Sequence, residues 1–324
     1  MAEAAPVWVL LGRRAGDNNQ LLRLASELGL PFRAFELRYN ALHLVPPRLL
    51  HASLAGLKPG SREQIGPPWP RVVLGIGHRS VPVALAIRAL SGGRTKLVRL
   101  GNPRLDPDRF DLVITTPQYR IGKAPNVLSL PAGISTAPHL EPTLEEREWL
   151  DRLPRPHRLV LLGGDTFMWT LGSAEVLPAI SKLKEKRGSV IAAGSGRSSE
   201  AMLDRVAAAL AGNGNAFVRG RFPRYPVLIG DADEIHITAD SVAMISDAIA
   251  TGKPVGLIEP RKSLSGEILY GLQKLGLRVP VRDIHRFWTG VRAQNLAGTV
   301  DSPVAGRLDP DPLDQAAAAV RRLL

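Results

Sequence analysis

Residues 227–260 read VLIGDADEIHITADSVAMISDAIATGKPVGLIEP, and this stretch decides the fold class. Glu234–Thr238 reads as a strand, Ser241–Ala250 as a helix and Pro254–Ile258 as a second strand. Val242, Ile245, Ala248 and Ile249 recur at helical spacing and form one apolar stripe. Asp240 stands at the N-cap position, where a carboxylate accepts a bond from an orphan amide of the first turn. Gly252 suits a left-handed helix stop, and Pro254 keeps the helix from resuming. A helix opened after a parallel strand turns free N–H groups and a positive dipole end toward any phosphate above it. Asp247 follows Ser241 by roughly 9 Å along that helix. Two readings stay open: a carboxylate holding ribose hydroxyls, or an acid solvated on the outer face of an ordinary sheet-covering helix.

The totals bound the rest. A chain of 324 residues suggests about two domains, and 44% hydrophobic with 22% charged residues is ordinary for a globular protein. No apolar run approaches the roughly 18 residues that span a bilayer. The first strand, within PVWVLLG, begins almost at once, so no signal or transit peptide is expected. The absence of cysteine excludes disulfides, thiolate metal sites and cysteine nucleophiles. A cytoplasmic protein is expected.

The formal charge of +12 is unevenly spread. Residues 1–137 hold 18 Lys and Arg against 8 Asp and Glu; the remainder holds 24 against 22. A basic half beside a nearly neutral half points to one domain facing an anionic partner. Arg88, Arg94, Lys96, Arg99 and Arg104 make the densest basic run, read as a solvated face or, more sharply, a patch for an anionic membrane surface. Aromatic residues do not interleave it, so no nucleic-acid partner is expected.

Along the first half, strands are predicted at Pro6–Leu11, Phe32–Tyr39, Arg71–Gly75, Thr95–Leu100, Asp111–Thr115 and Val127–Leu130. The loop from Gly12 to Gln20 holds Gly16, Asp17, Asn18, Asn19 and Gln20 before a helix from about Leu21. Such a loop at a strand's carboxyl end is where open α/β sheets place ligands, though Asp17 or Asn18 equally suits a cap. Gly75–Ser80 is a weak partial match to a dinucleotide fingerprint and brings His78 and Arg79 to the sheet's rim.

A boundary is expected near residues 136–158, where Thr143–Glu146 reads as a capping box. Beyond it, strands His157–Leu162 and Ser189–Ala193 end in Gly163–Thr166 and Gly194–Ser199. A helix is predicted over Thr170–Lys186, with Gly172 and Pro178 as breaks, followed by a helix through Leu210 and a strand at Ala216–Arg219. With Ala239–Ser241, three strand ends rich in glycine or hydroxyls converge. Small residues let backbone approach phosphate, hydroxyls donate, and Arg197 offers a charged fork. The expected organisation is 1–140, 155–300 and a tail at 301–324 whose helix, Pro312–Leu324, returns to the first domain.

GDNNQ at 16–20, GGDTF at 163–167 and DADEIHITADSVAMISDAIATGKPV at 231–255 together resemble the mitochondrial-fission (elongated mitochondria) family of plants and its bacterial relatives, classed as glycosyltransferases. The resemblance covers most of residues 6–275 and is most specific over 238–255. It implies an α/β protein of GT-B type, with two Rossmann-like domains facing across a cleft, the second holding a nucleotide-diphosphate sugar and the first an acceptor. The lipid-linked N-acetylglucosamine transferase of cell-wall synthesis has a similar layout and docks on a membrane through its first domain. By this resemblance Gly163, Gly164, Ser195, Arg197, Ser241 and Val242 line the diphosphate and Asp247 binds ribose; Asp165 and Asp240, on the same strand ends, are further candidate substrate contacts. The loop at Gly16–Gln20 and Arg79 face the acceptor, with Asp17 the first candidate base and His78 the second. The chain departs from the family's pattern at Gly196-Arg197, where two arginines are common, and at Asp247, where glutamate is.

The expected function is transfer of a sugar from that donor to an anionic or membrane-associated acceptor, at the inner face of a membrane or in the cytoplasm. Asp231-Ala232-Asp233 precedes a strand, so it reads as turn and cap rather than metal ligands, and no metal or cofactor is expected. The alternative is a scaffold that keeps the fold without the chemistry, as the plant member's recruitment of a fission dynamin suggests. A nicotinamide enzyme lacks its fingerprint here, and Thr251–Pro254 is a helix stop rather than a phosphate-binding loop.

Overall fold

The short apolar runs of the first half become one parallel sheet in the computed structural model, which describes residues 5–12, 15–135, 140–212, 214–275, 277 and 282–324. In chain order the elements are β1 (Val7–Leu10), α1 (Ala15–Glu27), β2 (Phe32–Phe35), the short helices α2 (Pro47–Leu50) and α3 (Pro59–Arg62), β3 (Val72–Ile76), α4 (Val81–Leu90), β4 (Lys96–Leu100), β5 (Leu112–Thr115) and β6 (Val127–Ser129). The strands lie in the order β2-β1-β3-β4-β5-β6, every pair parallel. Both faces are covered, which is why the central strands are apolar at nearly every position. Period-two alternation divides them: Val7, Val9 and Leu74 join one core, while Trp8, Leu10 and Val73 join the other.

The second half builds a matching sheet. Its elements are α5 (Leu144–Asp151), β7 (His157–Leu161), β8 (Trp169–Thr170), α6 (Ser173–Lys184), β9 (Ser189–Ala193), α7 (Glu200–Leu210), β10 (Ala216–Val218), α8 (Tyr225–Asp231), β11 (Glu234–Thr238), α9 (Val242–Ala250), β12 (Val255–Ile258), β13 (Arg261–Lys262), α10 (Leu264–Lys274), α11 (Ile284–Ala293), β14 (Gly298–Thr299) and α12 (Pro312–Arg321). The main sheet runs β10-β9-β7-β11-β12-β14, all parallel, and β8 pairs with β13 antiparallel.

Two units result, Met1–Thr136 with Pro310–Leu324, and Ala137–Asp309. The tail helix α12 belongs to the first unit: Leu313, Ala316, Ala317 and Val320 enter the same core as Val7, Leu21 and Leu24 of β1 and α1. Its small side chains permit close approach to α1, and Arg321 closes the contact on the Glu27 carbonyl.

Several local expectations change. The run Gly16–Gln20 is not a loop: α1 begins at Ala15, so these residues form its opening turns. Asn18 explains this, because its Oδ1 accepts the Gly12 N–H at 2.6 Å and its Nδ2 donates back to the Gly12 carbonyl at 3.2 Å. The strand end is thereby tied to the opening turns of the helix. The helix expected from Thr170 starts at Ser173, since Thr170 pairs in β8 and Glu175 accepts the Gly172 N–H at 2.8 Å. Pro178 lies inside that helix and does not end it. Gly252, at φ +71°, terminates α9 as its residue type demands. The capping box forms, Thr143 Oγ1 accepting the Glu146 N–H at 3.3 Å and Glu146 accepting the Thr143 N–H at 2.9 Å. Among the described residues no helix is long and apolar enough to cross a membrane.

Candidate functional site

In the second unit, parallel pairing sets the carboxyl ends of β9, β7 and β11 side by side. The loops that leave them are Gly194–Ser199, Gly163–Thr166 and Ala239–Ser241, and side chains cross-link all three. Ser198 Oγ donates to the Gly163 carbonyl at 2.6 Å and lies 3.0 Å from that of Leu162. The Gly163 N–H donates to Thr238 Oγ1 at 2.7 Å, and the Gly164 N–H to Asp240 Oδ2 at 3.2 Å. Thr238 Oγ1 in turn donates to Asp240 Oδ1 at 2.7 Å.

Asp240 is therefore not the cap of α9. Ser241 is, its Oγ accepting the Met244 N–H at 3.4 Å, while the fully buried Asp240 carboxylate meets the Arg197 guanidinium at 2.6 Å. The reason is charge. A buried carboxylate gains more from a guanidinium and two neutral donors than from a single helix amide. Arg197 remains nearly half exposed, and its Nη1 reaches the Gly164 carbonyl at 3.4 Å. Ser195 braces the same turn, accepting the Arg197 N–H on Oγ at 3.3 Å. Asp165 is occupied as well, taking the Leu171 N–H at 2.8 Å.

Glycine is required at both positions of the central tip. A Cβ on Gly163 would overlap the Asp240 carboxylate, and one on Gly164 would overlap the Arg197 carbonyl. Val242 opens α9, whose first amides have no partner inside the helix. Asp247 is buried on that helix rather than solvated, and accepts the Tyr225 hydroxyl at 3.1 Å. Burial, then the charge and hydrogen bond of Asp247, push the Tyr225 phenol far up, so it stays a donor. Tyr225 is held from behind: Glu146 accepts the Arg224 N–H at 2.9 Å and two guanidinium bonds at 2.8 and 2.6 Å. That bonding, against burial, holds the Glu146 carboxyl down at about 2.

Asp231 and Asp233 serve structure. Arg155 reaches Asp233 at 2.9 Å and also pairs with Asp231, whose other oxygen lies 2.6 Å from His157 Nδ1. Among the described residues no group of three His, Asp or Glu side chains is arranged to hold a metal ion.

In the first unit, α1 carries Asp17, Asn18, Asn19 and Gln20 at the end of β1, and the 3-10 turn His78–Ser80 follows β3, its neighbour in the sheet. Gly77, at φ +71°, makes the sharp exit that presents His78 and Arg79. Burial, then Arg104, Arg79, Arg99 and His43, press the His78 imidazole below its ordinary value, which leaves it neutral near pH 7. Arg13 and Arg14 lie outside the described residues. The basic run is no single solvated face. Arg88 and Lys96 share Asp111, Arg94 bonds the Ser91 carbonyl, and Arg99 is fully buried.

The profile of the family described as Mitochondrial fission ELM1 matches residues 15–323. No curated protein matches significantly. Solved structures similar across nearly the whole chain include a protein from Listeria monocytogenes provisionally assigned as a UDP-N-acetylglucosamine 2-epimerase, at 13% identity and TM-score 0.58, covering 98% of this chain and 96% of that one. A glycosyltransferase from Rickettsia africae follows at 12% identity and TM-score 0.53, covering 98% of each chain. The S. aureus MnaA–UDP co-structure is similar at 12% identity and TM-score 0.53, covering 99% and 95%. At these identities the likeness establishes the GT-B fold.

Proposed function

Because the chain belongs to the mitochondrial-fission ELM1 family and has the GT-B fold, we propose that it is a glycosyltransferase whose second unit binds a nucleotide-diphosphate sugar. One observation carries this reading: the tips of β7, β9 and β11 are adjacent, glycine-lined and fixed around a half-exposed arginine. The diphosphate lies over Gly163, Gly164 and Ser195, against the Arg197 fork and the Ser241–Val242 opening of α9, while Asp247 takes ribose hydroxyls. Nucleotide in the S. aureus structure is consistent with this class of ligand. The basic first unit receives an anionic or membrane-associated acceptor. In the transfer, an acceptor hydroxyl oxygen bonds to the sugar's anomeric carbon as its bond to the diphosphate breaks. Asp17 or His78 takes the hydroxyl proton, and His78 is suited because its neutral ring has a free lone pair. Arg197 and the dipole of α9 stabilise the departing diphosphate.

Calorimetry of the folded chain against UDP-, GDP-, ADP- and CMP-sugars tests this reading. One of them is expected to bind, and silence from all four at millimolar concentration overturns it.

A second reading, a scaffold that keeps the fold without chemistry, is favoured by one fact. The amides of Gly163, Gly164 and Ser195 are already bonded to Thr238, Asp240 and Ser198. A scaffold keeps its cellular role when Asp17 and Asp247 are both changed to alanine; a transferase loses it.

A further inference from the structure

The 3-10 turn that carries His78 is gripped from its buried side by an arginine of the neighbouring strand. Gly75 of β3 and Arg99 of β4 are register partners, and the Arg99 side chain, 1% exposed, lies over Gly75, where any Cβ would strike its Nη1. From there Nη1 donates to Ser80 Oγ at 2.8 Å, and Nη2 donates to the Gly77 carbonyl. One arm of the fork thus holds the residue before His78, and the other holds the residue two after it. Gly77, at φ +71°, makes the bend that the fork then fixes.

Filling the core does not explain this side chain. An apolar residue would occupy the same space without the desolvation cost of a buried charge. The turn also has a bond of its own, Ser80 Oγ donating to the Ile76 carbonyl at 2.9 Å. The Arg99 Nε is buried without a hydrogen-bond partner among the described residues. Burial lowers Arg99 only to about 10, so it stays charged near pH 7.

What the fork adds is a rigid turn and a fixed positive charge beside one ring. Burial presses the His78 imidazole below its ordinary 6.5, and Arg104, Arg79, Arg99 and His43 press it the same way. Arg104 is exposed and Arg79 half-buried, so salt screens both; it screens the buried Arg99 far less. The Tyr39 phenol, on the same small space as His43, His78 and Arg79, is raised by burial to about 12 and stays neutral.

We propose that Arg99 is a positioning residue for His78, holding the Gly77–Ser80 turn rigid so that the imidazole is presented at one place on the tip of β3. A general base works best when a third group orients it. The buried charge then keeps the ring's lone pair free for the proton of the acceptor hydroxyl. This deepens the proposed transfer by naming what orients one of its two candidate bases, and it rests on that reading only for the source of the proton.

Nuclear magnetic resonance on the full chain tests the inference, with the His78 signals assigned by their loss in His78→Gln. Arg99→Lys keeps the charge and loses the fork; Arg99→Met loses both. In the wild type His78 is expected to titrate below 6.5, and the amides of the turn to be rigid, with order parameters of about 0.85. Arg99→Met should raise the His78 titration by about half a pH unit or more, and Arg99→Lys by distinctly less. In both chains the order parameters of the turn should fall below about 0.6. Three results overturn the proposal: an unmoved His78 titration in Arg99→Met, the same rise in both chains, or a turn as rigid in Arg99→Lys as in the wild type. Circular dichroism checks that the chains are folded, and where Arg99→Met is not, the turn of Arg99→Lys decides. Calorimetric silence from every sugar nucleotide would overturn the transfer reading and leave these results as they are, so the two failures are read separately.

Discussion

The carboxylate of Asp240 holds the guanidinium of Arg197 at 2.6 Å from a fully buried position, while the arginine side chain stays nearly half exposed. Asp240 thus orients Arg197 at the tip of β9 and spares it the ordering entropy of a free surface arginine. Arg197→Ala should weaken UDP binding about 10- to 100-fold, the worth of one or two charge-assisted bonds. Asp240→Asn should weaken it about tenfold by unseating the fork. If Asp240→Asn instead binds UDP more tightly, the carboxylate competes with phosphate for Arg197, and its role as a positioner is wrong.

Gly164→Ala tests how closely the tips of β7 and β9 are packed. The new methyl would enter the Arg197 carbonyl, which belongs to the backbone and has little freedom to retreat. A loss of about 3 kcal/mol is expected, with nucleotide binding abolished because the Arg197 turn is displaced. Gly196→Ala, where the added methyl meets open space, is the control and should melt like the wild type. Equal melting temperatures for the two substitutions would refute the close approach.

The strands and helices themselves follow from information that lies in short windows: apolar runs, Gly252 as a stop, and the tail helix from Pro312. Side-chain partners do not lie in such windows. Asp240 precedes a helix and so reads as a cap, but its strongest donors, Gly164 and Arg197, arrive only when β7 and β9 pair. Arg99 reads as one of a basic run, yet the alternation of β4 turns it inward over Gly75. The residue pair Gly75 and Arg99 was visible in sequence, but nothing local couples them across two strands. Tyr225 carries no signal beyond a proline at its helix start, and its contact with Asp247 bridges separate helices.

Tyr225→Phe isolates that contact. Removing one donor from a buried carboxylate should cost about 1–2 kcal/mol and lower the melting temperature by several degrees. If Asp247 holds ribose, the same change should weaken UDP more than inorganic diphosphate, because only UDP carries a ribose. Equal losses for both ligands would place Asp247 away from the sugar.

The pairing of His157 with Asp231 predicts how stability varies with pH. Burial alone would lower the His157 imidazole, but the hydrogen bond to Asp231 and the Leu153 carbonyl at 3.1 Å outweigh it and raise its value above the ordinary 6.5. Burial alone would raise the Asp231 carboxyl, but His157 and Arg155 outweigh it and hold it below the ordinary 3.8. The histidine's contribution is complete below 6.5 and is lost as pH rises through its folded value. The aspartate's is complete above 3.8 and is lost as pH falls through its folded value. The pair therefore stabilises most between those limits. His157→Gln should lower the melting temperature on the order of 3–6 °C at pH 5.5 and distinctly less at pH 8.5. Thermal melts of both chains across that range, followed by circular dichroism, measure it. A loss of the same size at both pH values would mean that His157 is held by packing and not by charge.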